Sequence, residues 1–204
     1  MKLSSVAAIA LLCATPVFAA APAFVIDFEK NWDYTNGAID GYYNGGIAAD
    51  GSTGSNLGVA FVGLSGLSND NAFTYYSNAP SLLGVAYVFD AGAFINVAAG
   101  VDNTLYFSYA SPSAVTGAIK AYAGANGSGA LLGSIDLAAN SGAGYDGWTA
   151  RSFSFSGTAL SFDLGASANV VALDNISSVP ESSTLVMMLL GAAAMLRLGS
   201  RRRA

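Results

Sequence analysis

Between residues 20 and 178 the chain alternates short apolar and polar stretches, broken by Gly, Asn, Asp and Ser. In Leu105-Tyr106-Phe107-Ser108-Tyr109 the large side chains of Leu105, Phe107 and Tyr109 recur at every second position, as do the rings in Arg151-Ser152-Phe153-Ser154-Phe155. That two-residue period places successive side chains on opposite faces of a pleated strand. Read in this way, the pattern predicts strands over 23–28, 58–62, 85–89, 94–97, 104–109, 118–123, 131–137, 149–155, 160–164 and 170–176. Turn clusters such as Gly124-Ala125-Asn126-Gly127-Ser128-Gly129 separate them. No stretch here sustains a 3.6-residue period with helix caps. Short strands at near-even spacing predict an all-β sandwich, most simply a jelly roll of two antiparallel sheets. The longest irregular stretch, 31–57, is too long for an ordinary connection, and its tyrosines point to an ordered, functional one.

The two ends break this pattern. Lys2 followed by the apolar run 6–12 and by Val17-Phe18-Ala19 reads as a secretory signal peptide cleaved after Ala19. At the other end, twelve uncharged residues over 185–196 precede Arg197 and the cluster Arg201-Arg202-Arg203. A full membrane span needs about 20 apolar residues, so this run suits a temporary stop better than a permanent anchor. Its arginines belong on the cytoplasmic side. The expected layout is therefore signal peptide 1–19, exported β-sandwich 20–178 and C-terminal tail 179–204.

Val179-Pro180-Glu181-Ser182-Ser183-Thr184, the short apolar helix after it and the basic tip resemble the PEP-CTERM sorting domain. That family's signature is Val-Pro-Glu-Pro-Ser-Thr, and Ser182 stands where the second proline is usual. The resemblance implies export in a Gram-negative, exopolysaccharide-producing bacterium. It further implies transient residence in the inner membrane and processing by an exosortase after signal peptidase has acted. The cues Tyr42-Tyr43-Asn44-Gly45-Gly46, Asp50-Gly51-Ser52, Trp148-Thr149-Ala150 and Asp174-Asn175-Ile176 also resemble an exported domain that travels with this tail.

Charge sharpens the picture of the exported part. It holds twelve of the thirteen acids against Lys30, Lys120 and Arg151, a net charge near −9. Phosphate backbones are repelled by such a surface, which argues against nucleic acid as a partner. Cys13, the only cysteine, lies in the signal peptide, and the chain has no histidine. Histidine-based triads, histidine zinc sites and disulfides are thereby excluded.

Three constellations remain. Asp27-Phe28-Glu29 near the start and Leu173-Asp174-Asn175 near the end resemble the galactose-binding-like and carbohydrate-binding-module sandwiches. In those, an early and a late acid with backbone carbonyls hold a structural Ca²⁺, so Glu29 and Asp174 are the expected ligands. Hard oxygen donors suit that ion. The aromatics Trp32, Tyr34, Tyr42, Tyr43, Tyr75, Tyr76, Tyr145 and Trp148, many beside Asn, Asp or Gly, suit sugar stacking; Tyr42, Tyr43, Asn44 and Trp148 are the expected ligand contacts. Paired carboxylates for glycan hydrolysis need a separation of about 5–9 Å, and no spacing singles out such a pair. The leading expectation is a non-enzymatic surface or matrix protein associated with extracellular polysaccharide. A calcium-stabilised carbohydrate-binding module is the alternative, and a carboxylate-dependent hydrolase stands behind both.

Overall fold

The computed structural model describes residues 23–70 and 73–179. The signal peptide 1–19 and the tail from Pro180 onward lie outside the described residues. Among the described residues there are nine antiparallel strands, three short 3₁₀ turns and no α-helix. The strands are β1 (Val25–Ile26), β2 (Val59–Val62), β3 (Leu64–Leu67), β4 (Val85–Val88) and β5 (Phe94–Ala110). They continue with β6 (Val115–Tyr122), β7 (Leu131–Leu137), β8 (Thr149–Asp163) and β9 (Ala172–Ser177).

Pairing runs β3-β4-β9-β5-β8-β6-β7, with β1 added to β9 and β2 to β5. The long β5–β8 ribbon belongs to two layers. Its 104–109/149–154 end continues through β9, β4 and β3. Its 94–96/161–163 end is flanked by β2 on one side and by β6 and β7 on the other. Folding at the middle of the ribbon lays the layers face to face, a sandwich whose corner is made by strands that switch sheets.

The corner is built from residues that tolerate it. Register shifts interrupt the β5–β8 ladder between Asn96 and Val101 and between Asp102 and Thr104. Gly100, Asn103 and Gly157 there take φ of 80°, 58° and 87°. Bulges of this kind bend a strand and strengthen its twist. The Gly157 amide donates to Asn103 Oδ1 at 3.2 Å and Thr158 Oγ1 donates to Asp102 Oδ1 at 2.6 Å, tying the two strands at the bend.

Register then aligns the core. Phe61, Ile95, Phe162 and Ala121 lie side by side across four strands of one layer. Ala86, Leu173 and Tyr109 do so across the other. All are buried in one apolar cluster, and each large side chain removed from water contributes about 1.5–3 kcal/mol. In β9 a bulge, with Asn175 at φ 49°, lets both Leu173 and Ile176 reach that core. Without it, residues three apart would face opposite ways.

Several expected boundaries change. The strands expected at 94–97 and 104–109 are one strand, as are those at 149–155 and 160–164, because the glycines between them bend the ladder and do not end it. The strand at 23–28 shrinks to Val25–Ile26, since Phe28 takes φ 55°. Strand β3 (Leu64–Leu67) falls where no strand was expected, between Gly63 and Ser68. The irregular stretch 31–57 is held by a 3₁₀ turn over Tyr42–Asn44 and by bridges from Ala38 to Ser65 and Ile47 to Thr53.

Candidate functional site

The outer face of the β3-β4-β9 layer is where the molecule carries its second apolar cluster. Val85 and Tyr87 on β4 alternate with the core residues Ala86 and Val88, so they point away from the sandwich interior. Leu67 on β3 pairs with Val85, and Ala172 on β9 pairs with Tyr87. Two connections fold over this face. The first, residues 68–70 and 73–84, is braced by Asn69, whose Oδ1 accepts the amides of Tyr75 at 2.8 Å and Tyr76 at 3.2 Å. The second, residues 138–148, hangs from Asn140, whose Nδ2 donates to the Tyr109 carbonyl and to Thr149 Oγ1, both at 2.9 Å. The two are stitched together. The Ser77 amide donates to the Tyr145 carbonyl at 3.3 Å, and the Trp148 indole N–H donates to the Ser77 carbonyl at 3.0 Å.

Between them opens a cleft of about 210 Å³. Seven of its lining residues are aromatic: Tyr34, Phe73, Tyr75, Tyr76, Tyr87, Phe89 and Tyr145. Tyr34 and Tyr75 stack with ring centroids 5.1 Å apart and planes 8° from parallel. Phe73 leans on Tyr75 at 4.6 Å. Tyr34, Phe73 and Phe89 are 60%, 59% and 46% exposed, so the rings present faces to solvent and do not simply seal the core. Tyr145 stands edge-on to Tyr87, and its hydroxyl donates to the Val170 carbonyl at 3.1 Å. Burial pushes the Tyr87 phenol well above its ordinary range, with the Tyr145 hydroxyl adding to the shift. The Tyr87 hydroxyl is therefore neutral at any physiological pH.

The expected ligand contacts do not share this cleft. Tyr43 is 7% exposed and packs against Phe28 and Phe61 in the core. Tyr42 is half-buried between Trp32 and Tyr43. Asn44 lies at a separate depression with Gly58 and Asn96. Trp148 sits with the second cluster, holding the two connections together through its indole N–H. Of the wider aromatic set, Tyr34, Tyr75, Tyr76 and Tyr145 do line the cleft, joined by Phe73, Tyr87 and Phe89, which sequence reasoning missed. The missed signal was the alternation in Val85-Ala86-Tyr87-Val88-Phe89, which puts Tyr87 and Phe89 together on the face opposite the core.

The acidic spots meet at one end of the same connection. Val25 pairs with Ser177 and Ile26 with Ile176, so the first and last strands do lie side by side. Asp174 is fully buried, and its Oδ2 accepts the Ser81 amide at 2.7 Å while Oδ1 accepts the Asn175 amide at 2.7 Å. Desolvation raises its carboxyl to about 6, against the opposing effect of the Ser81 hydrogen bonds. Glu29 Oε1 accepts the Leu83 amide at 2.8 Å. The two acids thus grip one loop two residues apart. Tyr76 is buried, and its hydroxyl has no hydrogen-bond partner among the described residues. Desolvation, then the charges of Asp174 and Glu29, push that phenol up to about 12. The carboxylate oxygens of Glu29 and Asp174 are hard donors, the type a divalent cation such as Ca²⁺ takes. Among the described residues no three acidic side chains converge closely enough to hold a metal alone. Carbonyls or water would therefore have to complete its shell.

No family model matches the sequence. No curated protein matches it. Among solved structures, the chain is similar to the K2 cleaved adhesin domain of Lys-gingipain, with a TM-score of 0.42 and 12% identity over 76% of this chain and 98% of that one.

Proposed function

We propose that this protein is an exported, non-enzymatic surface or matrix protein whose β-sandwich, of jelly-roll type, binds extracellular polysaccharide. The observation that carries the reading is the open aromatic cleft on the outer face of the β3-β4-β9 layer. Sugar rings bury their C–H faces on aromatic planes, and phenolic hydroxyls can serve the sugar hydroxyls at the margin. Tyr34 and Tyr75 supply such a plane, fixed by Phe73, at a site deep enough to hold part of a chain and open enough to admit one.

Delivery rests on the ends of the chain. Val179 to Thr184, the apolar run and the basic tip support sorting by an exosortase, with passage through the inner membrane and release of the tail. Glu29 and Asp174 would hold a structural Ca²⁺ that neutralises the buried Asp174 charge and fixes the loop over the cleft.

A glycan array probed with the wild-type protein and with Tyr34→Ala tests the binding reading. Signal on one or more glycans, lost in the variant while its melting temperature is kept, is the expected result; no signal on any glycan sinks it. For the sorting reading, mass spectrometry of protein recovered outside the cell should find chains lacking Arg201 to Arg203.

A further inference from the structure

We infer that the aromatic cleft selects uncharged polysaccharides and excludes acidic ones such as uronate polymers. The inference rests on reading the cleft as a glycan site and adds which class of glycan enters it.

The argument is one of charge placement. The described residues contain three basic side chains, Lys30, Lys120 and Arg151, and none lines the cleft. Lys30 is held by the Asp50 carboxylate over the ring of Trp32. Lys120 lies in the other layer, opposite Asp163 on β8. Arg151 pairs with Phe107, whose ring is in the core, whereas Ala172 of the cleft pairs with Ala110. Residues 107 and 110 of one unbroken strand segment face opposite ways, so Arg151 is on the wrong side of the sheet.

Carboxylates, by contrast, stand beside lining residues on both connections, at Asp70 and Asp146. Asp70 accepts the amide of the lining residue Phe73 at 2.8 Å, and desolvation, then the Asp70 charge, raise the Tyr75 phenol. On the facing connection Asp146 accepts the Gly142 amide at 2.9 Å and the Ser141 hydroxyl at 3.0 Å, bracketing Ala143 and Tyr145 of the lining. Hydrogen bonds from the Gly142 amide and the Ser141 hydroxyl hold the Asp146 carboxyl below its usual range. A uronate chain entering here meets negative charge on either side with no cation to offset its own desolvation. A neutral chain meets ring faces, phenol hydroxyls and the aliphatic side chains of Leu67 and Val85.

Affinity electrophoresis of the full-length protein in gels carrying a neutral β-glucan, a neutral mannan, alginate or polygalacturonate tests this. The expected result is retardation by at least one neutral polymer, with affinity at least about tenfold weaker for both acidic ones. That retardation should persist as salt is raised, because no ionic contact is involved, and should vanish in Tyr34→Ala. Asp70→Lys should gain retardation by an acidic polymer. Equal or stronger retardation by alginate or polygalacturonate in the wild type, abolished by Tyr34→Ala, overturns the selectivity while the cleft remains a glycan site. Absence of retardation by all four, in agreement with a blank glycan array, overturns both readings together.

Discussion

The buried carboxylate of Asp174 on β9 accepts the backbone amide of Ser81 at 2.7 Å, joining positions 93 residues apart in the chain. That bond, with the Glu29–Leu83 bond beside it, fixes the end of the connection that forms one wall of the aromatic cleft. Replacing Asp174 by Ala leaves the Ser81 and Asn175 amides without their acceptors. An unsatisfied buried donor costs about 1–3 kcal/mol, so Asp174→Ala should lower unfolding free energy by roughly 2–4 kcal/mol. Urea denaturation measures it, and an unshifted midpoint would show that the bond contributes nothing.

A cation at this place would offset the buried charge of Asp174. Calcium should raise the melting temperature of the wild-type protein, and EDTA should lower it. Glu29→Gln should remove most of the response while keeping an acceptor for the Leu83 amide. Identical melting curves with calcium and with EDTA would leave Asp174 and Glu29 as loop fasteners only.

Acid should weaken the stretch 31–57 through Asp50. Hydrogen bonds from Lys30 and Ser52 hold its carboxyl down to about 2. A carboxyl depressed in the folded state contributes stability that is present above its unfolded value and lost as pH falls through the folded one. The contribution is therefore complete above about pH 4 and disappears towards pH 2. Asp50 lies at the surface, so the effect is small and salt-sensitive. Asp50→Asn should flatten that part of the stability profile measured by chemical denaturation; an unchanged slope between pH 4 and 2 would contradict the assignment.

Two glycines separate steric from conformational cost. A Cβ at Gly66 would lie 2.1 Å from the Trp32 ring, and Trp32 is tied at its indole N–H to the Phe28 carbonyl at 3.0 Å. Gly66→Ala should cost about 1–3 kcal/mol through overpacking. Gly157 has open space around it but φ 87°, so Gly157→Ala should cost about 1–2 kcal/mol from backbone strain alone. Adding Trp32→Leu should recover part of the first loss and none of the second, as read from thermal melts.

What the sequence made legible follows from which signals are local. The two-residue period in Leu105–Tyr109 and Arg151–Phe155 marks strands unambiguously, and the sandwich class follows from many such runs. The continuity of β5 and β8 was hidden, because Gly100, Asn103 and Gly157 look the same whether a strand stops or bends. Strand β3 was hidden by Gly66, which is small because Trp32 packs on it, not because the chain turns. The acids at 29 and 174 were singled out by a resemblance to carbohydrate-binding-module sandwiches, and the pairing of β1 with β9 brings both onto one loop. The cleft was only half visible: it is assembled by loops meeting over a sheet face, and no spacing in the sequence encodes that meeting. Tyr42 and Tyr43 drew attention because they stand beside Asn44 and Gly45, yet Tyr43 lies in the core.

The side-by-side β1 and β9 also decide how load enters the domain. The Phe24 amide donates to Ser178 Oγ at 3.1 Å and the Ser178 amide donates to the Phe24 carbonyl at 3.2 Å, so the chain arrives and departs at one corner. Whatever is joined beyond residue 179 pulls on β9, an interior strand bonded to β5 along one edge and to β4 and β1 along the other. A tether there grips the middle of the fabric and not its hem, while the sugar-sized cleft on the sheet face stays clear of the attachment.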